Sequence, residues 1–342
     1  MNYLRDGAAA RRADSTGFSL WGYWAWAKTQ NVRIVSTAEG GCMALGQHNE
    51  NLERSDWPRI TLVTPVFNST RYIEQTIQSV ISQQYPSLEY FIMDGGSTDG
   101  SVEIIRKYEQ YLSGWASGPD KGMYDALNRG FARSSGEIMG WISATDLLHT
   151  RSLFVVGSIF KSLPQVEWIT ARPTGFSEEG MAVAVSPSLK RWSRIRFLAG
   201  SNRYIQQEST YWRRGLWDRA GGQMDASRKE GSDFELWVRF FRYARLYPVD
   251  ALIGGFRVHP DSLSLGDPEK MCQIHDEIIA TELSRTPWGA AFSSFQRMSR
   301  AILKIPVLNV LWRNTVMSAL VRFPGPDWAP VIRYRNRTWT IG

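Results

Sequence analysis

From residue 58 onward, hydrophobic positions follow two alternating periods. Ile60-Thr-Leu-Val-Thr-Pro-Val66 is a short β-branched run closed by a turn, which predicts a buried strand. Tyr72, Ile73, Thr76, Ile77, Val80 and Ile81 then repeat at helical spacing. Leu88–Met93 reads as a second strand, closed by Asp94-Gly-Gly-Ser-Thr-Asp-Gly100, and Val102, Ile105 and Tyr108 give another helix. Met123, Ala126, Leu127, Gly130 and Phe131 mark a third amphipathic helix before a strand at Glu137–Ser143. Strands alternating with helices predict an α/β fold with a mostly parallel sheet and right-handed crossovers. Ligands of such sheets bind outside the carboxyl ends of the strands, where the polar clusters after Val66, Met93 and Ile142 fall.

The pattern divides the chain into three zones. Residues 1–57 form an N-terminal extension, with an aromatic cluster of Phe18, Leu20, Trp21, Trp24 and Trp26 before a polar, glycine-containing run. The cluster suits either packing on the main domain or an interfacial anchor. Residues 58–265 hold the alternating elements, and 266–342 read as a helical, basic, amphipathic C-terminal region. From 285 to 342 nine basic residues face a single acid, Asp327. Leu308, Leu311, Trp312, Thr315, Val316, Ala319, Leu320 and Phe323 share one helix face there. Such a helix can lie on an anionic membrane or pack on the core.

Composition narrows the classes. The chain has 342 residues, 43% of them hydrophobic, enough to bury a sizeable core. Its two cysteines, Cys42 and Cys272, offer neither a disulfide framework nor a zinc site. Residues 1–20 lack the apolar core of a secretory signal, and no stretch of ~18 apolar residues occurs, so a cytoplasmic protein is expected. A net charge of +7 calls for an anionic partner: nucleic acid, an acidic membrane or a phosphate-bearing substrate. The excess is concentrated at the C-terminus, whose apolar face suits lipid better than nucleic acid.

Candidate chemistry lies at the strand ends. A carboxylate at Asp94 can accept a hydrogen bond from a base N–H or serve as a turn residue, and Asp99 reads as a helix N-cap. Lys121, Asp125 and Asn128 share one helix face at i, i+4 and i+7, either a ligand wall or a solvated stripe. Asp146, after the strand ending in Trp141-Ile-Ser143, can bind Mg²⁺ or Mn²⁺, hard cations that take oxygen ligands. No G-x-G-x-x-G follows the first strand, which argues against a nicotinamide dehydrogenase.

Taken together in order, these segments resemble the bacterial family 2 glycosyltransferases, inverting enzymes of the GT-A fold. The matching pieces are Pro65–Asn68, Met93–Gly100, Trp115–Gly130, Gln206–Arg213, Gly222, Ser232–Arg239 and Phe256–His259. The resemblance covers residues 59–260 and points to enzymes of exopolysaccharide, capsule and O-antigen assembly. It implies a GT-A, Rossmann-like, mixed and mostly parallel sheet flanked by helices, followed by a C-terminal helical extension. It also implies a nucleotide-sugar pocket bordered by Pro65, Phe67, Asn68, Asp94, Lys121, Asp125, Asn128 and Ser143. Asp146 and His259 would be the metal positions, and Asp233 the general base. The donor would be a UDP-sugar and the acceptor a saccharide or lipid-linked saccharide, met at the inner face of the cell membrane through 285–342. The family shows two adjacent acids at its metal motif, where this chain has Thr145-Asp146. That departure leaves a non-catalytic nucleotide-sugar binding protein as the alternative, with a basic nucleic-acid-binding protein behind it.

Overall fold

The computed structural model describes residues 56–200, 203–260, 267–294, 298 and 328–342. The aromatic cluster at 18–26 and the apolar face at 308–323 lie outside the described residues. The first strand, β1 (Ile60–Val66), is buried along its whole length and pairs in parallel with β2 (Leu88–Asp94). Between them runs α1 (Ile73–Ile81), which buries Ile73, Thr76, Ile77 and Val80. Next come α2 (Ser101–Lys107), β3 (Gly114–Ser117), α3 (Met123–Ala132) and β4 (Ile138–Trp141). The boundaries of β1, α1, β2, α3 and β4 follow the periodicity because these strands are largely buried on both faces and these helices each present one apolar stripe, whereas β3 is a partly exposed edge strand.

Beyond β4 the elements shorten. They are β5 (Leu147–Leu148), α4 (Ser152–Ser162), β6 (Trp168–Ala171), β7 (Thr174–Phe176), β8 (Ala182–Val185), α5 (Arg194–Leu198), β9 (Thr210–Arg213) and α6 (Arg214–Arg219). There follow α7 (Ser232–Phe240), β10 (Tyr247–Val249), β11 (Gly254–Arg257), α8 (Pro268–Ser284), β12 (Ile332–Arg335) and β13 (Thr338–Ile341). The main sheet runs β13-β12-β10-β6-β9-β4-β1-β2-β3, and a smaller one runs β5-β11-β7-β8. In the main sheet β9 is antiparallel to both neighbours and β13 to β12, while the other pairs are parallel.

Each face of the main sheet carries its own core. One, under α1 and α4, is aliphatic with Tyr85, Tyr90 and Tyr211. The other, under α3, α6, α7 and α8, is aromatic. There Trp141 stacks on Trp237 at 5.4 Å and 6°, and Trp168 stacks on the other side of the cluster at 5.5 Å from Trp237. Six of the chain's fifteen tryptophans lie in this one core.

The C-terminal zone differs from its sequence reading. Helix α8 buries Ile278, Ile279, Glu282 and Leu283 against the α7 side of the core, so it is part of the domain. Glu282 accepts from both Arg194 and Arg242, a buried carboxylate between two guanidinium groups. The chain then ends in the β12–β13 hairpin, paired through Val249 and Ile332 to the main sheet. A helical region to residue 342 is therefore corrected: Ile332-Arg-Tyr-Arg335 and Thr338-Trp-Thr-Ile341 alternate apolar with polar positions over only four residues each, and pairing at the sheet edge decided their state.

Candidate active site

The carboxyl ends of β1 and β2 are laced together by their own loops. Asn68, held at φ 46°, accepts from Thr98 N at 3.0 Å while its own N–H donates to Ser97 Oγ at 2.8 Å. Thr70 N donates to Asp99 Oδ2 at 2.8 Å, and Asp99 Oδ1 accepts from Ser101 N at the start of α2. Burial works against ionisation of Asp99, but the bonds from Ser101 and Thr70 outweigh it and bring the carboxyl down to about 2. Phe67, in the same turn, leaves 65% of its surface exposed, an aromatic plane open to a ligand.

Asp94 is buried at the tip of β2. Its Oδ2 accepts from Gly96 N and Ser97 N at 3.0 Å and from Ser117 Oγ at 2.6 Å, and its Oδ1 accepts from Ser97 Oγ. The carboxylate therefore shapes the Gly95-Gly96 turn and ties β2 to β3. Gly96 stands at φ 89°, a conformation that a side chain would strain. Beyond β3, Asp120 accepts from Gly122 N and Asp125 accepts from Lys121 N, both donors lying in the turn that precedes α3. Lys121 is exposed at this edge, and its ammonium makes no ion pair among the described residues.

A second cluster forms where β4 and β11 end. Asp146 is only 1% exposed; Arg257 N donates to its Oδ1 at 2.9 Å, and Ser143 also bonds to the carboxyl. Burial raises Asp146 to about 7, against the pull of those bonds and of the Arg257 charge. Ser143 is itself held by Gln207, which accepts from Trp141 Nε1. Glu208, fully buried, is pushed up by desolvation and by the nearby Asp146 charge. Arg257 donates through Nε to Thr145 O at 2.6 Å and through Nη1 to Gln75 Oε1 and Glu178 O; Nη2, also buried, has no hydrogen-bond partner among the described residues. Its guanidinium lies 5.1 Å from the ring of Tyr72, against which His259 packs at 4.8 Å.

Across from these loops α3 meets the start of α7. Tyr124, 5% exposed, donates to Asp233 Oδ1 at 3.3 Å. Burial raises Asp233 above its ordinary value, partly offset by bonds from Phe234 N and Tyr124. One turn further along α3, Asn128 accepts from Met224 N and donates to Met224 O. Ser232, beside Asp233, keeps a buried hydroxyl with no partner among the described residues.

The structure thus assembles Phe67, Asn68, Asp94 and Lys121 at one edge and draws Ser143 and Asp146 into a buried network. Asp125 and Asn128, both half-buried, bond within the protein, to Lys121 N in the turn before α3 and to the backbone of Met224. Tyr124, Arg257, Gln207 and Glu208 were not singled out in the sequence, although each lies inside a quoted motif. Among the described residues no group of three or more histidines, cysteines or acids forms a metal cage. The carboxylate of Asp146 offers hard oxygens of the kind that suit Mg²⁺ or Mn²⁺, with water and substrate phosphates filling most of the shell.

Comparison with known proteins fits this arrangement. Residues 61–154 match the family model Glycosyl transferase family 2. An uncharacterized glycosyltransferase of Mycobacterium tuberculosis is 34% identical over 90 residues, covering 26% of this chain and 34% of that protein. TuaG of Bacillus subtilis, named for teichuronic acid biosynthesis, is 31% identical over 101 residues, covering 27% of this chain and 38% of its own. The chain thus spans about a third of the length of these curated relatives. Among solved structures, S. aureus TarS in complex with UDP-GlcNAc has a TM-score of 0.56 at 16% identity, covering 77% of this chain and 76% of TarS 1-349. That likeness is one of fold: a GT-A glycosyltransferase architecture.

Proposed function

We propose, from the premise that residues 61–154 form a glycosyl transferase family 2 domain, that this protein transfers a sugar from a nucleoside-diphosphate sugar to a hydroxyl of a saccharide or lipid-linked saccharide. The observation that carries the reading is the juxtaposition of the strand-end edge that holds Phe67, Asn68, Asp94 and Lys121 with Asp233, a half-buried carboxylate at the start of α7 that α3 reaches through Tyr124. Phe67 stacks on the base, Asp94 and Asn68 shape the turns that receive the nucleoside, and Lys121 meets the phosphates. Asp233 takes the proton of the acceptor hydroxyl while that oxygen bonds to the anomeric carbon. The bond from that carbon to the diphosphate breaks, and the nucleoside diphosphate leaves with the electron pair. Direct displacement inverts the centre. Burial suits Asp233 to this task, because a raised carboxyl pKa makes a stronger base.

Asp146 and His259 would hold a divalent cation, with Ser143 fixing the carboxyl of Asp146. When bound, such an ion supplies charge neutralisation for the departing diphosphate.

UDP is the nucleotide of the reading, the one bound in a TarS structure, and cell-surface polysaccharide is the product class, the one TuaG is named for. An anionic membrane surface is the proposed site of action. No helix of the described residues is long and apolar enough to cross a membrane. Arg285 and the hairpin residues Tyr334, Arg335 and Arg337 stand exposed, and each arginine near anionic headgroups contributes about 1 kcal/mol.

A panel of UDP-, GDP- and dTDP-sugars tests the reading. One of them should raise the melting temperature as expected for a ligand of the folded state, and nucleoside diphosphate should be released with an acceptor present. Asp233→Asn should keep that binding while lowering turnover roughly 10²–10⁴-fold. Binding without turnover in the unaltered protein would leave it a nucleotide-sugar binder.

A further inference from the structure

We propose that Tyr124 is the positioning residue of Asp233: its hydroxyl donates to Oδ1 and aims the carboxylate from the opposite helix. The inference rests on Asp233 being the general base. Tyr124 is buried, its ring sits in the aromatic core, and its OH reaches Asp233 at 3.3 Å. One turn further along α3, Asn128 grips Met224 in the loop that leads into α7. A single helix therefore holds both the loop before the base and the base itself, and the turn that leads into it carries Lys121 on the donor edge. Placement of the donor and of Asp233 is coupled through α3.

Charged groups on the neighbouring elements are otherwise occupied. Glu235 pairs with Arg239 on α7, Asp225 with Arg228 in the preceding loop, and Glu230 with Lys270 on α8. Arg194 on α5 is committed to Glu282. His275 of α8 stacks on Phe234 at 3.9 Å and is kept neutral near neutrality by burial. Tyr124 is thus the one side chain recorded as bonded to the Asp233 carboxylate among the described residues. A phenol donating to a carboxylate stabilises its ionised form and lowers its pKa. Replacing it removes that stabilisation and shifts the titration upward.

The test is carbon-13 NMR of Asp-labelled full-length protein, with the Asp233 resonance identified by its loss in Asp233→Asn. Tyr124→Phe should raise the Asp233 titration midpoint by about one pH unit, with UDP, used as the probe, binding within twofold of the unaltered protein. Site-specific 3-fluorotyrosine at 124, a more acidic donor, should move the midpoint the other way. It gives the answer if the Phe variant folds poorly. Unmoved midpoints in both variants, or movement in the same direction, overturn the proposal. Unaltered turnover in Asp233→Asn overturns instead the assignment of the base, whatever Tyr124 does.

Discussion

The side-chain amide of Asn128 holds the backbone of Met224 from both ends, Nδ2 donating to its carbonyl at 2.9 Å and Oδ1 accepting from its N–H at 2.8 Å. This is the pairing a neighbouring strand would make, supplied here by one side chain on α3. Met224 is buried, so water cannot replace the lost partner. Asn128→Ala should therefore destabilise the domain by about 1–3 kcal/mol, the cost of leaving buried polar groups unmet. Thermal melting and UDP titration check it together. The melting point should fall while UDP affinity stays. An unchanged melting point with lost UDP binding would return Asn128 to the nucleotide wall.

Gly130, on the same helix, lies against β1. A Cβ built there would stand 2.5 Å from Val63 Cγ1 and 3.0 Å from its Cγ2. In an exposed helix, glycine to alanine stabilises by up to about 1 kcal/mol. Here the sign reverses, because the helix would have to lift from a strand buried on both faces. Gly130→Ala should cost about 1–3 kcal/mol by overpacking, read as a lower urea midpoint. A midpoint equal to or above that of the unaltered protein would show that the α3–β1 contact is looser than this.

These two residues also show what the sequence could and could not reveal. β1, α1, β2 and α3 were legible because their apolar periods are long and each is enforced by burial on the sheet. The side of α3 that carries Asp125 and Asn128 was legible as a face, although Lys121 stands in the turn before the helix and not on it, and spacing cannot say what lies opposite. The partner of Asn128 is 96 positions away. Strands of two to four residues, such as β5, β7 and β11, fall below the length at which alternation can be recognised. Yet they bring Arg257 beside Asp146 across 111 positions. Tyr124 was hidden differently: it sits among apolar core residues, and only its hydroxyl marks it.

Metal removal examines the Asp146 cluster. An ion held through one carboxylate would need the diphosphate to complete its shell, so on the proposed reading metal and nucleotide bind together. In the unaltered protein, calorimetry should find UDP binding tighter with Mn²⁺ than with EDTA. In Asp146→Ala the two conditions should give equal affinities. Equal affinities in the unaltered protein would mean that the diphosphate is met by protein groups alone, with exposed Lys121 the nearest candidate.

His275 makes stability depend on pH. It stacks on Phe234, the residue after Asp233, and burial lowers its pKa to about 4, helped by the charge of Arg203 and opposed by Asp276. The unfolded chain takes the ordinary value near 6.5. Above about pH 6.5 both states leave the ring neutral, and the contribution is fully present. As pH falls from there towards 4, the unfolded chain binds a proton that the folded protein refuses, so stability is lost over that window. The whole loss is about 3 kcal/mol at most, since each unit of difference is worth about 1.4 kcal/mol. Urea unfolding at intervals from pH 7.5 to 4.5 measures the slope. His275→Phe preserves a ring on Phe234 and removes the titrating group, so its stability should change less over that range. Parallel curves for the two proteins would place the acid sensitivity elsewhere in the α7–α8 contact.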